Sequence, residues 1–219
     1  MEEMRVIAGI YRSRQLTAPR GTGTRPTSDR LRETLFNILG ERVAGSRFAD
    51  LYAGTGAVGI EAISRGAAQV WFAEKAEPAQ VAIRANLKAL QIARGFAMEE
   101  RGTGALLERL AKAAQKAAAD AERIAADDAT SRQPNPSAER LNLVFLDPPW
   151  EAEAEFANTL HLLGSTRGRA MLAPDAVVVA EHNSKTLLAT RYGELTQTRT
   201  LKQGDAALSF YTLATVAGT

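Results

Sequence analysis

The spacing of apolar residues changes near residue 27 and again near residue 47, and each change marks a different predicted element. Residues 4–18 mix apolar and polar positions over short runs, Arg5-Val6-Ile7-Ala8-Gly9 and then Tyr11 to Leu16, which predicts a hairpin or arm. The stretch from Pro19 to Pro26, with Gly21 and Gly23 among its breakers, predicts a loop. Leu31, Leu35, Ile38 and Leu39 then recur at helical spacing. Thr27 or Ser28 can cap that helix, Asp29 falls in its first turn, and Gly40 can end it. Arg30, Glu33, Thr34 and Asn37 fall on its opposite face.

From residue 47 onward, short apolar runs alternate with helical stretches. Strands are predicted at 47–52, 69–73, 96–99, 141–146, 176–180, 195–202 and 207–214. Helices are predicted from the glycine-rich turn after Tyr52 to about Arg65, from Pro78 onward, and after Trp150 to about Leu163. In the second of these, Val81, Ile83, Leu87 and Leu90 are the expected apolar contacts. Such alternation argues for an α/β fold with a largely parallel sheet and helices on both faces. Residues 105–128 break the rhythm: they are alanine-rich, with charges of both signs, and predict a long solvated helix. Residues 129–140 are polar and proline-punctuated, so 105–140 reads as a structural insertion and linker. The expected organisation is a basic arm and loop over 1–26 and one domain over 27–219.

Composition narrows the function classes. The chain of 219 residues contains no cysteine, which excludes disulfides and thiolate chemistry. The two histidines, His161 and His182, are far apart in sequence, and no metal is expected. No apolar run approaches the roughly 18 residues that cross a bilayer, so no membrane partner is expected. The N-terminal MEEMRVIAG lacks signal-peptide architecture, and a cytoplasmic monomer is the expectation. Net charge is only +2, but Arg5, Arg12, Arg14, Arg20, Arg25, Arg30 and Arg32 face the single acid Asp29 over that span. Arginine's planar fork suits phosphate and stacks on bases. Charge alone does not separate a nucleic-acid surface from a solvated basic face.

Two motifs carry chemistry. Gly54-Thr55-Gly56-Ala57-Val58-Gly59 follows a predicted strand and opens a predicted helix, as a nucleotide-binding glycine loop does. Glu74, twenty residues past Gly54, ends the next strand, where a carboxylate accepts both ribose hydroxyls. This pair fits a nicotinamide dinucleotide and S-adenosylmethionine equally. Asp147-Pro148-Pro149-Trp150 ends the most apolar strand, LNLVFL. Two prolines there hold the turn rigid and donate nothing. Asp147 and the Pro148 carbonyl supply two acceptors suited to an amino group, and Trp150 a flat face for a planar base. Accepting both protons of an exocyclic amine localises its lone pair on nitrogen, which an in-line methyl donor can then meet.

Asp147-Pro148-Pro149-Trp150 resembles the (D/N)-P-P-(Y/F/W) motif of amino-group methyltransferases. Asp50 with Gly54, Gly56 and Gly59 resembles their motif I, and Glu74 their motif II acid. More narrowly, Met4-Arg5-Val6-Ile7-Ala8-Gly9 and the run from Arg25-Pro26-Thr27-Ser28-Asp29-Arg30 to Asn37 are similar to the bacterial 16S ribosomal RNA guanine-N2 methyltransferase family. The similarity runs from residue 4 to about 214, apart from the insertion. It implies a class I Rossmann-like methyltransferase with a mostly parallel seven-stranded sheet whose last strand is antiparallel. It also implies S-adenosylmethionine as methyl donor and a guanine of small-subunit ribosomal RNA as acceptor. By resemblance, the region of Asp50, Ala53, Gly54, Thr55, Gly56 and Gly59 holds the methionine end of the cofactor, and Glu74 its ribose. Asp147, Pro148, Pro149 and Trp150 hold the target base. Arg25, Thr27, Asp29, Arg30 and Asn37 belong to the RNA side, joined by Arg5, Arg12 and Arg14 of the arm. No residue is assigned to the adenine.

Rival readings share parts of this pattern. Methylation of a protein glutamine amide or of DNA adenine uses the same turn chemistry. A nicotinamide-dependent oxidoreductase uses the glycine loop but leaves Asp147 to Trp150 without a role. A non-catalytic RNA-binding assembly factor accounts for the arginines but not for an intact Asp147, Glu74 and glycine set.

Overall fold

A computed structural model describes residues 4–18, 27–127 and 140–214. Its strands are β1 (Arg47–Leu51), β2 (Gln69–Ala73), β3 (Phe96–Glu99), β4 (Leu141–Leu146), β5 (Leu172–Asn183), β6 (Arg191–Tyr192), β7 (Leu195–Gln203) and β8 (Ala206–Leu213). They form one sheet in the order β3-β2-β1-β4-β5-β8-β7-β6. Strands β1 to β5 are parallel, and β8 runs antiparallel to both β5 and β7. The seven expected strands are thus present, and the two-residue β6 adds an eighth by pairing with β7. Strand order reverses between β1 and β4, so the crevice at their carboxyl ends is where such sheets bind ligands.

Among the described residues six α-helices flank the sheet: α1 (Asp29–Leu39), α2 (Ala57–Ser64), α3 (Glu77–Ala89), α4 (Thr103–Asp127), α5 (Glu153–Leu163) and α6 (Thr166–Met171). Side chains alternate across each strand, which sorts the core into two layers. Phe48, Phe72, Leu143, Phe145, Val179 and Phe210 pack with Leu31, Leu35 and Phe36 of α1, Ile60 of α2, Ile83 and Leu87 of α3, and Val6 and Leu16 of the arm. Leu51, Trp71, Val144, Leu146, Val178 and Tyr211 pack on the opposite face, with Leu106, Leu107, Phe156, Leu160 and Met171.

Several elements follow their local sequence closely. The Ser28 hydroxyl caps α1 by accepting from the Leu31 amide at 3.2 Å, and Gly40 ends the helix at φ 54°. The alanine-rich helix departs from its reading. It starts at Thr103, and Leu106, Leu107 and Ala111 are fully buried under the sheet, so only its later turns are solvated. Three small or branched apolar side chains at helical spacing suffice to dock its first turns, a signal masked by the alanines around them. Val81 is also corrected: at 57% exposure it faces solvent, while Ala79, Ala82, Ile83 and Leu87 take the inner face of α3. The loop 19–26, and the linker 129–140 apart from Arg140, lie outside the described residues.

The arm is fastened along its length. The Glu61 carboxylate, fully buried on α2, accepts from the amides of Ile7 at 2.7 Å and Ala8 at 3.0 Å, and pairs with Arg65 at 2.7 Å. Ser64 accepts from Ile10 through its carbonyl and from Tyr11 through its hydroxyl. Gly9 passes so close, at φ 82°, that a Cβ there would lie 1.9 Å from the Ser64 carbonyl oxygen. Arg32, on the buried stripe of α1, donates to the Arg5 carbonyl and, at 2.8 Å, to Asp29. Glu61→Ala removes two amide acceptors and strands the Arg65 charge, and is expected to cost about 3 kcal/mol of stability. Denaturant unfolding checks this, with faster hydrogen exchange at Ile7 and Ala8 marking the released arm.

Candidate active site

The period of two that sorts the core also arranges the acids at the strand ends. Asp50 lies two residues beyond Phe48, Glu74 beyond Phe72, Asp147 beyond Phe145, and Glu181 beyond Val179. All four therefore project on the face covered by α1 and the arm, at the carboxyl edge beside the glycine loop.

Between β1 and α2 the chain turns sharply. Gly54 and Gly56 adopt φ 54° and 74°, and the Gly56 amide donates to the Ala53 carbonyl at 2.7 Å. Gly59 admits no side chain, since a Cβ would lie 2.2 Å from the Phe72 ring. Asp50 accepts from the Gly59 amide at 2.8 Å, and Glu74 accepts from Gly54 at 2.9 Å and Ala76 at 2.7 Å. The two acids thus brace the loop from either side. Asn86, buried on α3, donates to the Thr55 and Thr17 carbonyls, and the Thr55 hydroxyl donates to the Met4 sulfur at 3.3 Å. The arm and the glycine loop consequently share a wall. Gln80 ties the ends of β2 and β3 by donating to the Glu74 and Glu100 carbonyls.

Burial pushes Asp50 up to about 8; the Glu74 carboxylate adds to the rise and the Gly59 hydrogen bond opposes it. A carboxyl with a raised folded-state pKa binds its proton more tightly folded than unfolded. Its stabilising contribution is complete below the ordinary value of 3.8 and is lost as pH climbs through about 8. The melting temperature of the ligand-free protein is accordingly expected to fall between those limits, and Asp50→Asn to flatten the slope. Parallel slopes for the two proteins in a pH series of thermal melts would contradict this.

The turn after β4 sits across from the loop. The Asp147 amide donates to the Leu51 carbonyl at 3.4 Å, Pro148 is buried and Pro149 exposed. Trp150 is half-buried and packs against both core layers, so its ring spans the edge of the sheet. Asp147 is held well above the ordinary carboxylate range, first by burial and then by Glu181 and Asp50. Glu181, 5% exposed, accepts from the Thr27 hydroxyl at 2.7 Å.

The expected RNA residues are spread out. Thr27 is buried at the floor of the crevice rather than displayed on a surface. Asp29 is engaged by Arg32 and, at 3.6 Å, by Arg5. Arg30 and Asn37 are exposed on α1. Arg12 and Arg14 are exposed on the arm: Arg12 follows Tyr11, which is tied to Ser64 at the end of α2, and the Arg14 guanidinium donates to the Ala89 carbonyl at the end of α3 at 3.4 Å. Arg25 lies outside the described residues. Sequence reasoning missed Glu181, Asn86 and Glu61. Only Glu181 had a local signal, an acid closing the run Val177-Val178-Val179-Ala180.

Comparison with known proteins gives the family. The model of the family described as Conserved hypothetical protein 95 matches residues 4–121 and 103–212. The Bacillus subtilis protein named "Putative rRNA methyltransferase YlbH" is 35% identical over 208 residues, spanning 95% of this chain and 98% of its own. Haemophilus influenzae "Ribosomal RNA small subunit methyltransferase D" is 42% identical over 89 residues, 41% of this chain and 46% of that one. The solved structure of "Putative methyltransferase yhhF" from Escherichia coli superposes with a TM-score of 0.72 at 26% identity, covering 97% of this chain and 98% of that one. Matched by the family model along most of its length, and similar to YlbH nearly end to end, the chain belongs to the Conserved hypothetical protein 95 family, of the small-subunit rRNA methyltransferase D type.

Proposed function

We propose that the protein transfers the methyl group of S-adenosylmethionine to the exocyclic N2 amine of a guanine in 16S ribosomal RNA. The observation that carries this reading is the Asp147-Pro148 turn standing across the crevice from a glycine loop braced by Asp50 and Glu74. The relatives named for rRNA methylation support the substrate class.

S-adenosylmethionine supplies an electrophilic methyl on a sulfonium. Asp50 and the loop from Ala53 to Gly59 suit its methionine end, and Glu74 its ribose hydroxyls. Asp147 and the Pro148 carbonyl accept the two amino protons of the guanine, while Trp150 stacks on the ring and Pro149 stiffens the turn. The bound donor would give its methyl carbon to the nitrogen and leave as the neutral thioether. The proton lost from the methylated nitrogen passes to Asp147, whose raised pKa makes it a better base than an ordinary aspartate.

Arg5, Arg12, Arg14, Arg25 and Arg30 neutralise phosphates around a base splayed from its stack. Asp29 and Asn37 belong to the same RNA side, and Thr27 acts from within the crevice. Arg12 and Arg14, exposed on the arm, hold RNA that flanks the target. The arm and loop over 1–26 serve the domain over 27–219, with the later turns of α4 and the linker to residue 140 as a structural insertion. The protein works in the cytoplasm as a monomer without a metal. Among the described residues no helix is long and apolar enough to cross a membrane.

Mass spectrometry of small-subunit RNA from cells lacking this chain tests the reading. One N2-methylguanosine is expected to disappear and to return with the wild-type gene but not with Asp147→Ala. Unchanged methylation after deletion would overturn it.

A further inference from the structure

The bases that carry an exocyclic amine differ at the ring nitrogen beside it. In adenine and cytosine that nitrogen accepts a hydrogen bond; in guanine, N1 carries a hydrogen and donates. A site that grips only the amine cannot separate them, whereas a second acceptor beside the first selects guanine. The wrong base then leaves two acceptors facing each other without a proton between them.

Glu181 stands where that second acceptor is needed. Leu146 and Ala180 are the last registered pair of β4 and β5, so Asp147 and Glu181 follow side by side on neighbouring strands. Both project on the face of Phe145 and Val179, toward α1. Glutamate is one methylene longer than aspartate and reaches further over the crevice. Thr27, just before the Ser28 cap of α1, donates to its Oε2 at 2.7 Å and fixes the side chain. Asp147 senses Glu181 more strongly than it senses Asp50.

We infer that Glu181, positioned by Thr27, accepts the N1–H of the acceptor base and so restricts the site to guanine. The inference rests on the methyltransferase reading above. 2-Aminopurine separates the two ideas, because it keeps the C2 amine but presents N1 as an acceptor. The test compares labelled methyl transfer to small subunits reconstituted with guanine or 2-aminopurine at the acceptor position mapped with the wild-type protein. The wild type is expected to prefer guanine by on the order of 10^3-fold. Glu181→Gln still accepts from Thr27, and its amide can donate to N1 of 2-aminopurine. It is expected to lower the preference at least about 10-fold, with part of the change a gain on 2-aminopurine. Thr27→Val, which removes the hydroxyl held by Glu181 Oε2, is expected to lower the preference less. An unchanged ratio in Glu181→Gln with normal cofactor binding overturns the inference while leaving the methyltransferase reading intact. If Glu181→Gln does not fold, an unchanged ratio in Thr27→Val overturns it. A wild-type protein that labels neither RNA overturns the methyltransferase reading itself.

Discussion

Asp147→Ala is expected to lower methyl transfer by on the order of 10^3-fold while cofactor affinity stays within a few-fold. The carboxylate follows the buried strand LNLVFL and is carried by a turn with two consecutive prolines, and the proposed function sets it against the amine instead of the cofactor. Removing it takes away one of two acceptors that localise the nitrogen lone pair, and also the base that collects the proton. The backbone is unaffected, because Pro148 and Pro149 still fix the turn and the residue 147 amide still reaches the Leu51 carbonyl. Asp147→Asn keeps an acceptor oxygen but loses the base, and is expected to recover roughly 10-fold over alanine. Single-turnover transfer with bound labelled cofactor measures both variants. Near-normal turnover in Asp147→Ala would move the chemistry away from this turn.

Glu74→Ala acts on the other substrate. The Glu74 carboxylate oxygens accept from Gly54 and Ala76, and their remaining lone pairs are expected to accept both ribose hydroxyls. Hydrogen bonds to a charged group contribute about 1.5–3 kcal/mol each, so losing two weakens cofactor binding by roughly 100-fold or more. Glu74→Gln, with one acceptor oxygen left, is expected to fall between. At saturating cofactor the turnover of both variants recovers most of its value, since neither touches the amine. Calorimetric titration of the cofactor measures the affinity, and a KM effect accompanied by an equal kcat effect would contradict the assignment.

The parts of this molecule legible in its sequence are those whose patterns are local. The run Leu141–Leu146 is apolar on both faces and reads as a buried strand because helices cover the sheet on both sides. Ser28 and Gly40 mark the ends of α1 because caps are settled within a few residues. The glycine loop, Glu74 and the Asp147 turn were found for the same reason. β5 extends past Ala180 through Glu181, His182 and Asn183, three polar residues that read as the end of a strand. They remain in the sheet because distant groups satisfy them: Thr27 donates to Glu181, and Ser209 meets the His182 ring at 2.8 Å. Arg32 sits on the apolar stripe of α1 for a like reason, with the arm's Arg5 carbonyl as its partner. Asn86 and Glu61 likewise look like ordinary helix surface until the arm folds over them.

The most direct test of the account is transfer of labelled methyl from S-adenosylmethionine by the purified protein to under-methylated small ribosomal subunits, followed by nucleoside analysis. Label recovered as N2-methylguanosine from 16S RNA is the predicted result. Label in another nucleoside or in protein, or none with cofactor binding confirmed, would contradict it.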